Sequence, residues 1–304
     1  MVQPVSRRTL AVGALWVTPM VVAASAAPRI AASPLCDPQN TMTIDWLRGT
    51  RVVTSTDAWG EPLSVTFVPD VWPELTITVS TTRVGQVRGS GSNLKAEPLA
   101  GASVQTIGGY YSSGLVLGWQ NRYSGPAAGQ SYVGSATANY ATWAVSFTST
   151  ATGAPVTVDG LRFAITDIDF GNAPLDTGMA PGTAPLSDRE NVTLTPMPGS
   201  TPTVETDVIG AGTDADPWVS TYYNDQAWQD YQACTTCTTT EKNAIWNRIY
   251  NADNNAAPVG NVYIDYGASS VSSFTVKAWN ENPRIDTENI FVSTMTFTCP
   301  RVAW

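Results

Sequence analysis

The chain contains no histidine. That single absence removes Ser-His-Asp triads, Cys-His nucleophile pairs and His-ligated zinc from consideration. Charge is scarce: 13% of the 304 residues are charged, and lysine occurs only at Lys95, Lys242 and Lys277. No basic cluster exists, so nucleic-acid binding is not expected. No apolar run reaches the length of about 20 residues that a membrane-spanning helix needs. No repeat of fixed period is present either, which argues against a propeller or a solenoid.

What is present begins with a targeting pattern. Ser6-Arg7-Arg8 precedes an apolar run from Leu10 to Val22 and then the small residues Ala24-Ser25-Ala26. This is the three-part layout of an export signal, and the paired arginines indicate the route that carries folded proteins. Cleavage after Ala26 is expected, making 1–26 a twin-arginine signal peptide and 27–304 a single secreted domain with no transmembrane segment. Losing Arg7 and Arg8 makes the chain more acidic than its full-length net charge of −9. Acidity suits solubility outside the cell and attracts cations.

The four cysteines, Cys36, Cys234, Cys237 and Cys299, allow three pairings, and export favours disulfides. Cys36 shares parity with Met42, Ile44 and Trp46, and Cys299 shares it with Phe291, Met295 and Phe297. Both therefore read as core-side residues at the first and last strands, which are expected to be neighbours joined by Cys36–Cys299. Closing so long a loop contributes about 5 kcal/mol in the chain-entropy account. Cys234 and Cys237 are expected to close on each other as a structural clip, since no βαβ context supports a redox CxxC.

Between these ends the chain reads as short Thr- and Val-rich strands punctuated by Gly, Pro, Ser and Asn. Beyond the first and last, expected strands are 63–68, 75–79, 115–119, 142–148, 203–208, 262–266 and 273–279, with Leu161–Ile165 and Val192–Leu194 between. The implied class is all-β, a jelly-roll-like two-sheet β-sandwich. A short helical insertion is expected at about 224–253. There Thr238-Thr-Thr-Glu241 is a capping-box pattern, and Ile245, Trp246, Ile249 and Tyr250 recur at helical spacing. Those apolar side chains are expected to pack on the sandwich.

The richest stretch for chemistry is 160–194. Leu161, Phe163 and Ile165 alternate with Arg162, Ala164 and Thr166, the period of a half-buried strand. Continued alternation puts Asp167 and Asp169 on the core side. Counting back from Val192 and Leu194 does the same for Glu190 and Asp188. Four carboxylates at the ends of two neighbouring strands need pairing, hydrogen bonds or a metal. A hard, oxygen-liganded cation, Ca²⁺, is the economical partner, although no EF-hand spacing is present. Arg162, Arg189 or Arg284 as counter-charges, or strands that end before the acids, are the alternatives. Asp214-Ala-Asp216-Pro217-Trp218 is a turn signal and a second candidate carboxylate pair.

The order TIDW, GLVLGWQ, LRFAITDID, DRENVTL, GAGTDADPW and IDYGASSVSSFTVKAW resembles a pattern in exported actinobacterial proteins. It is similar to adhesin-like surface domains with a lectin-type sandwich. The resemblance implies extracellular binding and transfers no catalytic residue; only Asp167, Asp169 and Glu190 are carried over. The closing TFTCPRVAW lacks a sorting motif, so a covalent wall anchor is not expected. The preferred reading is a calcium-stabilised, non-catalytic binding module that contacts a glycan or protein at the cell surface. The alternative is a secreted glycoside hydrolase or carbohydrate-binding protein on the same fold, using two of the acids.

Overall fold

Alternating apolar and polar residues set much of the described chain into antiparallel strands. The computed structural model describes residues 41–99, 105–106, 109–110, 113–121, 134–168, 190–205, 207–221, 225–250, 260–280 and 287–298. Its strands are β1 (Thr41–Ile44), β2 (Gly49–Thr56), β3 (Pro62–Pro69), β4 (Leu75–Val84), β5 (Val87–Gly89), β6 (Ala96–Pro98), β7 (Gln105–Thr106) and β8 (Gly109–Tyr110). There follow β9 (Ser113–Asn121), β10 (Tyr140–Ser149), β11 (Val158–Thr166), β12 (Glu190–Thr195), β13 (Thr203–Val204), β14 (Val208–Ile209) and β15 (Val219–Ser220). Helices α1 (Asp225–Ala233) and α2 (Thr239–Tyr250) come next, then β16 (Val262–Asp265), β17 (Ser270–Val271), β18 (Ser273–Asn280), β19 (Thr287–Ser293) and β20 (Met295–Thr298).

Two large sheets face each other. One has six strands in the order β12-β18-β10-β4-β3-β2. The other has ten, running β1-β20-β11-β19-β9-β5, with β6, β13, β16 and β17 attached at its sides. The result is the all-β, two-sheet sandwich that the alternation implies. Leu75, Ile77 and Val79 of β4, Trp143, Val145 and Phe147 of β10, and Phe274 and Val276 of β18 point inward from the first sheet. Leu115, Leu117 and Trp119 of β9, Leu161, Phe163 and Ile165 of β11, and Ile290 and Val292 of β19 meet them from the second. Phe163 stacks on Phe274 across the interface with centroids 4.6 Å apart, and Trp119 meets Trp143 edge-on at 5.7 Å. Such pairs add about 0.5–1.5 kcal/mol each beyond the area they bury.

One polar residue sits inside this core. Asn93 is completely buried, and its side chain makes four hydrogen bonds. Its Nδ2 donates to the Pro62 carbonyl (2.8 Å) and the Thr81 hydroxyl (3.2 Å). Its Oδ1 accepts from the Gly118 backbone N–H (3.1 Å) and the Trp143 indole N–H (2.9 Å). Two donors and two acceptor sites are all that an amide offers, so the group is fully satisfied. It ties β9 of one sheet to β3, β4 and β10 of the other.

The helical insertion has its expected shape. Thr238 Oγ1 accepts from the Glu241 N–H, and the Glu241 carboxylate accepts from the Thr238 N–H and hydroxyl, closing the capping box at the head of α2. Cys234 and Cys237 form a disulfide between the helices. The side chains of Trp246, Ile249 and Tyr250 lie outside the described residues, as do the expected signal segment 1–26, Cys36 and Cys299. Pro34–Val302 belong to one compact unit. Among the described residues no helix is long and apolar enough to cross a membrane.

Three readings of the sequence are corrected. The run 203–208 is not one strand: β13 and β14 are separate, and they join different sheets. β2 was not expected at all, because its side chains are largely exposed and leave no apolar alternation. Phe291 does not share a face with Met295 and Phe297. Ile290 and Val292 point into the main core, and so do Met295 and Phe297, three residues further on rather than two. The extra residue lies at Ser293-Thr294, where Ser293 Oγ accepts from the Ala164 N–H and Thr294 N–H bonds to the Ser113 carbonyl. This one-residue bulge moves Phe291 to a small cluster with Leu99, Val116 and Ala164.

The expected adjacency of first and last strands is present, with Thr41 opposite Thr298 and Ile44 opposite Met295. Non-reducing peptide mapping of the protein is therefore expected to link Cys36 to Cys299; a Cys36–Cys234 or Cys36–Cys237 peptide would refute that pairing. Asn93→Ala is expected to cost at least about 3 kcal/mol in denaturant unfolding, because it strands buried donors that lose about 1–3 kcal/mol each.

Candidate functional site

Of the four acids of the 160–194 stretch, Asp167 and Glu190 are among the described residues. β11 ends at Thr166, and Asp167 takes a left-handed backbone (φ 67°), a conformation that Asp tolerates better than most residues. This breaks the alternation, and Ile168 turns into the core. Asp167 is nonetheless buried. Glu190 is buried too, on the same parity as Val192 and Leu194 as expected. However, β11 and β12 belong to different sheets, so the two acids do not lie on neighbouring strands. Neither stands free. Asp169 and Asp188 lie outside the described residues. Among the described residues no three Cys, Asp or Glu side chains gather within metal reach. Arg162 is committed elsewhere, at 3.0 Å from Asp265.

A second acidic pair went unnoticed in the sequence although it lies in the open. Asp207 Oδ2 accepts from the Ser220 hydroxyl (3.0 Å) and the Gly260 N–H (2.9 Å). The Gly260 carbonyl in turn accepts from Ile168 N–H, so this carboxylate is tied to the corner that follows Asp167. Burial, together with the nearby Asp207 charge, pushes the Glu205 carboxyl above its ordinary range. The signal was the spacing of Glu205 and Asp207 inside what read as a plain strand.

A cleft lies on the outer face of the six-stranded sheet. Val276 and Ala278 of β18 point into the core, so Lys277 and Trp279 point out. Trp279 is only 3% exposed despite facing away from the core. Two turns lie over that face. One comprises residues 134–138, with the Gly134 N–H bonded to the Asn280 carbonyl and Ser135 bridged to Ala138. The other is the 213–216 turn between β14 and β15, in which Thr213 pairs with Asp216. That segment runs along β12 through the Val192–Trp218 bridge and a bond from Leu194 N–H to the Gly212 carbonyl. The Gly210-Ala-Gly212 sequence permits it. Both glycines have positive φ, and a Cβ would fall 1.9 Å from the Pro217 carbonyl oxygen at the first and 2.4 Å from the Trp218 ring at the second.

Between the turns lies a cavity of about 460 Å³ lined by Ser135, Asn191, Asp214, Asp216, Pro217 and Trp279, among others. Lys277 closes one side. Its ammonium donates to Asp214 (2.9 Å) and the Ala136 carbonyl, and it lies 4.4 Å from the Tyr140 ring centroid and 5.6 Å from that of Trp279. The Trp279 Nε1–H is buried with no acceptor. Asp214 and Asp216, marked in the sequence as a turn and a carboxylate pair, do come to one cleft. Lys277, Tyr140 and Asn191 were missed; the clue was the outward parity of Lys277 and Trp279.

A smaller cleft of about 270 Å³ adjoins the turn between β2 and β3 and is lined by Asp57, Trp59, Glu61, Arg88 and Gln120 among others. Asp57 Oδ1 accepts from the Trp59 and Glu61 N–H groups, and its Oδ2 pairs with the buried guanidinium of Arg83. Burial alone would raise this carboxyl; the two backbone donors and Arg83 outweigh it and hold the group below its ordinary range. Comparison of the chain with protein-family models, curated proteins and solved structures finds no match.

Proposed function

We propose that this protein is an exported, non-catalytic binding module of adhesin-like type whose cleft at Trp279 takes a glycan. The observation that carries the reading is the state of Trp279. A tryptophan turned away from the core, almost fully covered and with an unanswered N–H, forms part of a cavity of about 460 Å³. Small-molecule sites typically measure about 300–1,000 Å³ and combine an apolar wall with a few fixed polar groups. Here the polar groups are a hydroxyl (Ser135), an amide (Asn191) and two carboxylates (Asp214, Asp216), the first of these carboxylates anchored by the Lys277 ammonium. That set suits a hydroxyl-rich ring, whose hydroxyls meet the donors and acceptors around the cavity while Trp279 forms part of its wall. The lack of histidine and the acidic composition fit the same reading.

A glycoside hydrolase is the second reading, favoured by the arrival of Asp214 and Asp216 at one cleft. That chemistry needs two carboxyls at set separation in a groove. Asp214 is already engaged by Lys277, which speaks for recognition.

The proposal includes Ca²⁺ held by Asp167, Asp169, Asp188 and Glu190. Two buried carboxylates bracket residues 168–189, and carboxylate oxygens are the ligands that Ca²⁺ takes. The exported chain is expected to melt higher in Ca²⁺ than in chelator, since a ligand at 100 times its dissociation constant adds about 2.7 kcal/mol. Asp169→Asn should remove the difference. Equal midpoints in the two conditions would show that the acids are satisfied within the protein.

For the cleft, the wild-type chain is expected to bind members of a panel of neutral and acidic oligosaccharides. Asp216→Ala and Ser135→Ala should each weaken that binding about tenfold, or about 1.4 kcal/mol, at unchanged melting temperature. Failure to bind any of the panel would end the glycan reading and leave a protein ligand. Release of reducing ends, lost in Asp216→Asn while binding persists, would establish the hydrolase.

A further inference from the structure

Far from the Trp279 cleft, β2 forms the last strand of the six-stranded sheet and pairs only with β3 among the described residues. Among the described residues its other edge presents backbone N–H and C=O groups with no strand beside them. Natural sheets usually protect such an edge with charge, proline or a covering segment. β2 has a single charge, Arg51, and no proline. Apolar residues gather here instead. Of the six large apolar side chains exposed among the described residues, five are Leu47, Val52, Val53, Trp59 and Val71. Val52 and Val53 lie mid-strand. Leu47 and Val71 flank the strand's start, where Asp70 N–H bonds to the Arg48 carbonyl, and Trp59 stands in the turn at its far end. An exposed apolar group that follows one strand from end to end marks an association surface.

We propose that this edge pairs with the same edge of a second copy of the chain, joining two six-stranded sheets through an antiparallel β2–β2 contact. The edge is self-complementary. With the two-fold axis at Val52, that valine meets its own equivalent, and Arg51 lies opposite Val53 rather than its own equivalent. The same symmetry carries Leu47 and Arg48 of one copy toward the Asp57–Trp59 turn of the other. It thus sets an apolar side chain beside Trp59 and a highly exposed cation near the turn that carries Glu61. A two-fold contact uses one patch twice and closes, so it yields a dimer and not a fibre. The register of β2 on β3 shifts past Val53, which confines the regular ladder to the strand centre. The flanking apolar residues then supply much of the contact.

Sedimentation velocity of the exported chain over a dilution series tests this. Wild type is expected to show a reversible monomer–dimer equilibrium. Val52→Lys puts a charge on the symmetry axis, and Arg48→Glu turns both end contacts repulsive. Each should weaken dimerisation by about tenfold or more, with the circular dichroism spectrum and monomer melting temperature unchanged. If Val52→Lys fails to fold, Arg48→Glu decides, because its side chain is 78% exposed. A wild-type chain that stays monomeric up to its solubility limit would overturn the proposal. So would a folded Arg48→Glu variant that dimerises as tightly as wild type.

Discussion

Asn93 holds the two sheets in their relative position. Apolar contacts between sheets resist separation but tolerate sliding, since one aliphatic surface fits another at many offsets. A buried amide with four partners does not. Moving either sheet by one residue would break bonds to Gly118 on one side or to Trp143 and Thr81 on the other, with no water to replace them. The stacked rings of Phe163 and Phe274 and the edge-on pair of Trp119 and Trp143 then pack around a fixed offset.

That fixed frame is what makes the outer cleft possible. Trp279 and Lys277 project from a central part of the six-stranded sheet, where neighbouring strands restrain the backbone on both sides. The covering turns are attached at defined points, one through Gly134 on Asn280 and the other through Trp218 on Val192. Lys277 is restrained by a carboxylate, a carbonyl and two ring faces, so the cleft is organised before any ligand arrives. Loops supply the variable chemistry, and the sheet supplies the precision.

Much of this was legible in the residue pattern. Strands with one buried face announced themselves by alternation, and the helical pair by its capping box and cysteine clip. Pairing of first and last strands followed from cysteine parity. Parity failed where one residue changed the count. The left-handed Asp167 ended β11, and the bulge at Ser293-Thr294 turned Phe291 to the other face. Neither event has a glycine or proline at the site to announce it. β2 was illegible for another reason: a strand exposed on both faces has no alternation to read. The Asp214–Asp216 turn was visible, but its meeting with Trp279 was not, because it depends on a contact between segments about sixty residues apart.

The pairing of β1 with β20 has a consequence for biosynthesis. Strand β20 supplies the ladder partner of β1, and it also borders β11 from the middle of the chain. The ten-stranded sheet therefore cannot close until the segment around Thr298 has left the ribosome. Until then, strands such as β9 and β11 lack β19, the partner that lies between them. Non-local pairing of this kind is slow and leaves apolar edges open to misassembly. The nascent chain thus stays an unfinished sandwich until β19 and β20 have emerged, and those two strands commit the fold.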